Sequence, residues 1–556
     1  MKSRKSKDLI YFTIGLVVIV LINIIGSNYF FRIDLTEENR YTMSDATVRM
    51  LENLEEEVFI EVYLDGDLPS GFKRLQKSVR EQLETFRAYG GDKIQFRFYD
   101  PASIKDAKKR NQFYLDLGQK GIQVTNVFAN ENGKKVEKLI LPGALITYGK
   151  EEAAVMLLNG NRSNDPQEIL NQSIENVEFE LASAIANVTR KERKKIGLIA
   201  GHEELEELDI ADLVNELSKK YGLYNIDLEK RDDLKGYDAI IINQPKSPYS
   251  DEEKYKIDQF IMNGGKALFF IDEIRISMDS IGAEGTYAFT YNHNLGDLLF
   301  KYGVRVNSNL IQDLSSGKYP MVVGNFGDQP QIQLMPWPFF PLINKFGESP
   351  VVKNLDMVYT RFVSSLDTVK ATGVVKTPLL FTSVYSRILN TPVRVNFNDL
   401  RKEMNPDYFT KGSIPVAYML EGEFSSLYKN RILPPFAKKN QFKEQSVFTK
   451  ILICSDGDLL RNEINYRTNQ PYPLGFDPFM QRNFANKEFI VNSLEYMLDE
   501  EGLISARRKE VILRPLDKVK IQEEKLKWQI INLVSPVILI IILGSIRQYF
   551  RKRKYQ

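Results

Sequence analysis

The chain is poor in the residues on which many enzymes and metal sites depend. Its 556 residues include one cysteine, Cys454, and two histidines, His202 and His293. A single cysteine excludes an internal disulfide, so stability rests on packing in any compartment. Two separated histidines and one cysteine supply no ligand pair for a zinc site. No Walker loop occurs, which excludes nucleotide hydrolysis by that route. Net charge is only +2, without the concentrated basic face that nucleic acid would require. Internal repeats and low-complexity tracts are also missing. No cofactor is expected.

Long apolar runs are present, one at each end. Leu9 to Ser27 and Trp528 to Ile546 are almost free of charge. Each spans about 19 residues, or about 28 Å as a helix, which matches the hydrocarbon core of a bilayer. Lys2, Arg4, Lys5 and Lys7 precede the first run, and Arg547, Arg551, Lys552, Arg553 and Lys554 follow the second. The positive-inside bias then puts both tails in the cytoplasm and everything from about 31 to about 527 across the membrane. A cleaved signal peptide would need a small-residue site after the first run. Instead Tyr29, Phe30 and Phe31 stand where an interfacial aromatic belt would sit. Asn23, Asn532 and Pro536 are helix positions that a neighbouring helix would satisfy, so they are candidate contacts within the membrane.

The intervening body has ordinary charged and hydrophobic fractions, 27% and 43% for the whole chain, and is long enough for two or three domains. After a tail and first membrane helix at 1–31, residues 32–190 read as an α/β domain. Ser44 is its first helix cap, strands begin at Val58 and Ile94, and an amphipathic helix runs from Phe72 to Tyr89. Residues 195–500 alternate short apolar strands with helices, the pattern of a parallel sheet. An insertion at about 275–450, rich in Pro, Gly and aromatic residues, interrupts that pattern. A basic, β-like connector at 501–527 leads into the second membrane helix, 528–546, and a basic cytoplasmic tail, 547–556.

Candidate chemistry is sparse. Gly201-His202-Glu203-Glu204 follows a buried strand, where open α/β sheets place ligands. His202 and Glu203 are therefore candidate contacts, although an acidic helix start explains the same residues. Asp456 lies in Ser455-Asp456-Gly457-Asp458, which could meet a cation but is also ordinary turn chemistry. Cys454 lacks a glycine-flanked elbow and reads as a buried structural cysteine. Trp337 and Phe339, in the proline-rich aromatic stretch, are candidates for a partner surface or for local core.

Two stretches, Arg32 to Thr42 (RIDLTEENRYT) and Val62 to Leu75 (VYLDGDLPSGFKRL), resemble the ABC-transporter auxiliary family, specifically its gliding-motility branch in Bacteroidetes. The Gly201-His202-Glu203 turn, the Asn263-Gly264-Gly265-Lys266 corner and the terminal helices agree with it. The resemblance implies an ABC permease and an ABC ATPase as partners in the inner membrane, and a possible homodimer within that complex. It also implies a role in gliding motility, and a second domain like glutamine amidotransferases without their catalytic residues. The reading that follows is a non-enzymatic, doubly anchored periplasmic subunit that couples the transporter to a substrate or partner. The alternatives are a solute-binding component delivering a small ligand, and a membrane-tethered enzyme using His202, Glu203 or Cys454.

Overall fold

The structure is a computed structural model. It describes residues 10–20, 42–131, 134–159, 165–190, 192–282, 284–327, 329–401, 404–437, 440–508 and 518–555. The first apolar run is represented by helix α1, Ile10–Val20, which alone is shorter than a membrane span. Asn23 and the rest of that run lie outside the described residues.

The amino-terminal domain opens with α2, Asp45–Glu52, whose cap Ser44 accepts a hydrogen bond from Thr47 N. Strand β1, Val58–Val62, leads into α3, Ser70–Gly90, whose Leu75, Val79, Leu83 and Phe86 recur at helical spacing and are fully buried. Strand β2, Ile94–Phe98, pairs parallel with β1. Helix α4, Ala107–Lys120, and the hairpin of β3, Thr125–Glu131, and β4, Lys134–Ile140, come next. Strands β5, Gly143–Tyr148, and β6, Glu151–Met156, complete a sheet of order β2-β1-β5-β6. The apolar run from Lys138 to Tyr148 thus divides in two at Leu141-Pro142, because Pro142 has no N–H to continue a ladder. Helix α5, Pro166–Thr189, covers this sheet.

Beyond Arg190 begins a larger sheet. Strand β7, Lys195–Ala200, is followed by α6, Ala211–Ser218, and β8, Gly222–Asp227. Then come β9, Ala239–Asn243, helix α7, Asp251–Met262, and β10, Lys266–Phe270. Helix α7 is fixed by a capping box between Ser250 and Glu253. Helix α6 is shorter than its apolar pattern suggests, because the chain from Leu205 to Ile210 turns.

The insertion contains helix α8, Gly296–Tyr302, and a long hairpin of β11, Ser316–Phe326, and β12, Gln329–Ile343. It also supplies β13, Lys345–Phe346, β14, Val374–Phe381, and β15, Pro415–Gly422, before β16, Thr449–Cys454. The sheet order is β13-β14-β15-β16-β10-β9-β7-β8. Strands β8, β7, β9, β10 and β16 are parallel, whereas β15, β14 and β13 continue the sheet antiparallel. The expected parallel sheet is therefore five strands of an eight-stranded mixed one. Pro378 within β14 hides the wing in the sequence, and a register shift beside it absorbs the missing donor.

Helix α9, Asn486–Leu498, packs on the sheet face. A half-buried network links α5 to α9: Arg507 lies 3.5 Å from Glu180 of α5 and 3.9 Å from Glu495 of α9, and Lys220 pairs with Glu495. The expected β-like connector is not a strand where it is described. Leu503–Arg508 is a 3₁₀ turn, and α10, Lys518–Tyr555, is already helical over its first, charged residues. Their brief alternation of Lys with Val and Ile gives way to i,i+3 pairing such as Lys527–Glu524. Within α10, Glu524–Arg553 is, among the described residues, the one helix long and apolar enough to cross a membrane. Asn532 and Pro536 lie inside it and are exposed. One compact unit holds everything up to residue 509, and α10 belongs to a second.

Candidate functional site

The parallel strands end in a crest of polar residues. After β7 come Gly201 and His202, after β9 comes Gln244, after β10 comes Asp272, and after β16 come Ser455 and Asp456. Ligands of open α/β sheets bind at this edge because the strand ends diverge there into loops.

His202 is 5% exposed and its ring stacks on Tyr249, with centroids 3.7 Å apart. Nδ1 is 3.3 Å from Glu204 Oε1 and Nε2 is 3.2 Å from Glu253 Oε1. Burial opposes a charged imidazole, but the hydrogen bonds and charges of Glu204 and Glu253 outweigh it and raise the His202 pKa. Its carbonyl accepts from Lys246 N at 2.8 Å, and Tyr249 O–H donates to Glu204 at 3.3 Å. His202 is thus clamped between two carboxylates and a ring. Glu203 points away, exposed, from a backbone with φ of 57°. The two residues that adjoin in sequence do not act together.

Asp456 is fully buried. Its Oδ2 accepts from Arg361 N at 2.8 Å, and its Oδ1 has no hydrogen-bond partner among the described residues. Burial, then the charges of Asp272 and Asp458, push its pKa well up. Asp272 accepts from Gly457 N at 2.6 Å and from the Gln244 amide, which also donates to Asp458 at 2.9 Å. Burial, with the Asp458 charge behind it, lifts Asp272 to about 7. Gln244 has φ of 55° and packs so closely on Gly457 that a Cβ there would lie 2.5 Å from Gln244 Cγ. Glycine is what allows this approach. His293 donates from Nε2 to the Asp272 carbonyl at 2.7 Å, while burial lowers its pKa. With Nε2 donating, a neutral ring leaves Nδ1 as an acceptor, and that atom has no partner among the described residues.

This arrangement holds two buried carboxyls, Asp272 and Asp456, whose pKa values burial raises, beside fixed amide and backbone donors. It is suited to binding and proton exchange. Among the described residues no group of three His, Cys, Asp or Glu side chains is placed to hold a metal ion. Cys454 is buried, and burial followed by the Asp456 charge pushes its thiol pKa well up, which makes it a poor nucleophile.

The sequence points to His202 and Asp456 but not to Asp272, Gln244, Tyr249 or His293. One signal for Asp272 was available: it ends the apolar strand Ala267–Ile271, as Asp456 ends the strand of Cys454. Trp337 and Phe339 are each 1% exposed. Trp337 packs against Tyr319, Phe340, Phe362 and Phe397 and forms the insertion's core. The partner-surface expectation for both residues is thereby corrected. A hairpin this long needs its inner end anchored, and these rings are what anchor it.

The structure is a mixed α/β body with a polar crest at its strand ends, on a chain that also carries a helix long enough to cross a membrane. Residues 193–493 match a family described as an ABC-type uncharacterized transport system, and the chain belongs to that auxiliary family. Residues 37–147 match a domain of unknown function (DUF7088). An uncharacterized protein of Borreliella burgdorferi is 23% identical over 567 residues, covering 99% of both chains. Among solved structures, the mmIFT52 N-terminal domain aligns at 12% identity over 55% of this chain and 98% of that domain. Its TM-score is 0.31, a level that carries no weight for fold or function.

Proposed function

We propose that this chain is a non-enzymatic subunit of an ABC-type transporter complex, anchored in the inner membrane by both of its ends. Family membership points to a transporter-associated subunit, and the match over residues 193–493 is the observation that carries the reading. The apolar stretch Glu524–Arg553, with its basic end, supports attachment to the membrane. The finer reading has both termini in the cytoplasm and the body in the periplasm. There the body would couple a permease, and indirectly its ATPase, to a substrate or envelope partner in gliding motility. The larger domain would be a glutamine-amidotransferase-like fold without the chemistry, and the buried, poorly ionised Cys454 agrees with that. Two copies per complex would match the two halves of an ABC transporter.

Detergent extraction followed by purification on this chain is the test. The expected result is recovery of an ABC ATPase and a multi-span permease. Recovery of neither would overturn the proposal.

A further inference from the structure

We propose that a polar cleft in the insertion binds an acidic saccharide, which goes beyond the transporter reading and uses different residues from the strand-end crest. The cleft has a volume of about 930 Å³, within the range of small-molecule sites. One wall is a preorganised network. Arg305 donates to Asn307 at 2.8 Å and to Asp367 at 3.1 Å, and Asn307 donates to Asp367 and Ser365, both at 3.0 Å. Asn309, buried behind it, donates to the same Ser365 hydroxyl at 2.9 Å. Paired amide, hydroxyl and carboxylate groups held in fixed positions are what vicinal sugar hydroxyls require as partners.

The cleft also carries two cations. Arg387 is oriented by Gln312, which accepts from its Nε at 2.7 Å, and by the Phe409 ring 4.8 Å from its guanidinium. Among the described residues no carboxylate forms an ion pair with it, and Asp399 acts on it only at longer range. That leaves the flat end of the fork for an incoming carboxylate. Lys411 is exposed on the same cleft. With Arg305 paired to Asp367, Arg387 and Lys411 leave the lining positive. Tyr408, 66% exposed, offers an aromatic face beside them. A sugar ring bearing a carboxylate uses all three features, whereas an inorganic anion would use only the cations and fill little of the space.

The test is calorimetric titration of the full-length protein in detergent with trigalacturonate, maltotriose and inorganic phosphate. Trigalacturonate is expected to bind, and maltotriose to bind more weakly. Arg387→Gln should weaken trigalacturonate binding about tenfold, the loss of one charge-assisted contact. Lys411→Gln, a change at an exposed side chain, should weaken it less and leave the circular dichroism spectrum unchanged. Absence of trigalacturonate binding overturns the proposal, as does equal affinity in the wild type and Lys411→Gln. Phosphate binding more tightly than trigalacturonate also overturns it, in favour of a simple anion site.

Discussion

Asp258 and Asp456 are carboxyls buried to the same extent, each with no exposed surface, yet their surroundings are opposite. Asp258, on α7, receives Tyr302 O–H at 2.9 Å, Leu427 N at 2.9 Å, Ser426 O–H at 2.7 Å and the Gln259 amide at 2.9 Å. Asp456, at the strand-end crest, has one oxygen without a partner among the described residues and two other carboxyls as neighbours. Burial raises both pKa values. The first carboxyl ties a helix to a loop. The second holds repulsion among neighbouring carboxyls at the ends of the parallel strands. Equal burial is therefore no guide to role; the count of donors is.

The largest expected effect is at the saturated site. Asp258→Ala strands three or more buried donors and should cost about 3 kcal/mol or more, read from urea unfolding. A loss under about 1 kcal/mol would break the comparison. Next comes pH. Asp272 holds its proton more tightly folded, at about 7, than its ordinary 3.8. Its contribution to stability is full below the unfolded value and is lost as pH rises toward about 7. Asp272→Asn should remove that loss, so its urea midpoint relative to wild type should rise between pH of about 5 and about 8. An unchanged difference would remove Asp272 from the account.

Asp456→Asn is expected to have a smaller effect, within about 1 kcal/mol of wild type or more stable, because it relieves repulsion without stranding a partner. Last is a shift with no stability change. In histidine NMR spectra, His202 should titrate above 6.5 and His293 below it. Reversed order would contradict both environments.

Much of the fold was legible where local signals agree. Ser44 and Ser250 mark their helices through cap chemistry, and the all-apolar runs of β9 and β10 read as strands covered on both faces. The antiparallel wing was illegible because Pro378 breaks the strand pattern and only a bulge, invisible in sequence, rescues it. Trp337 was ambiguous because clustered aromatics look the same whether they face a partner or one another. The candidate site was half legible. His202 and Asp456 follow apolar strands, but Gln244 reaches Asp458, and Asp272 reaches Gly457, only through sheet topology. Those partners lie roughly 200 residues apart, and no local pattern encodes such a meeting.

The pairing of β10 with β16 also governs how the protein is made. Ala267 lies beside Ile451, so the chain leaves the middle of its main sheet and returns about 180 residues later to fill the adjacent lane. Until Thr449–Cys454 has been synthesised, the apolar strand β10 presents an open flank, and both the interior and the polar strand-end crest are incomplete. Completion is therefore a late event in biogenesis. A nascent or truncated chain ending before residue 449 should behave as a client of holding chaperones, and not as a smaller version of the finished protein.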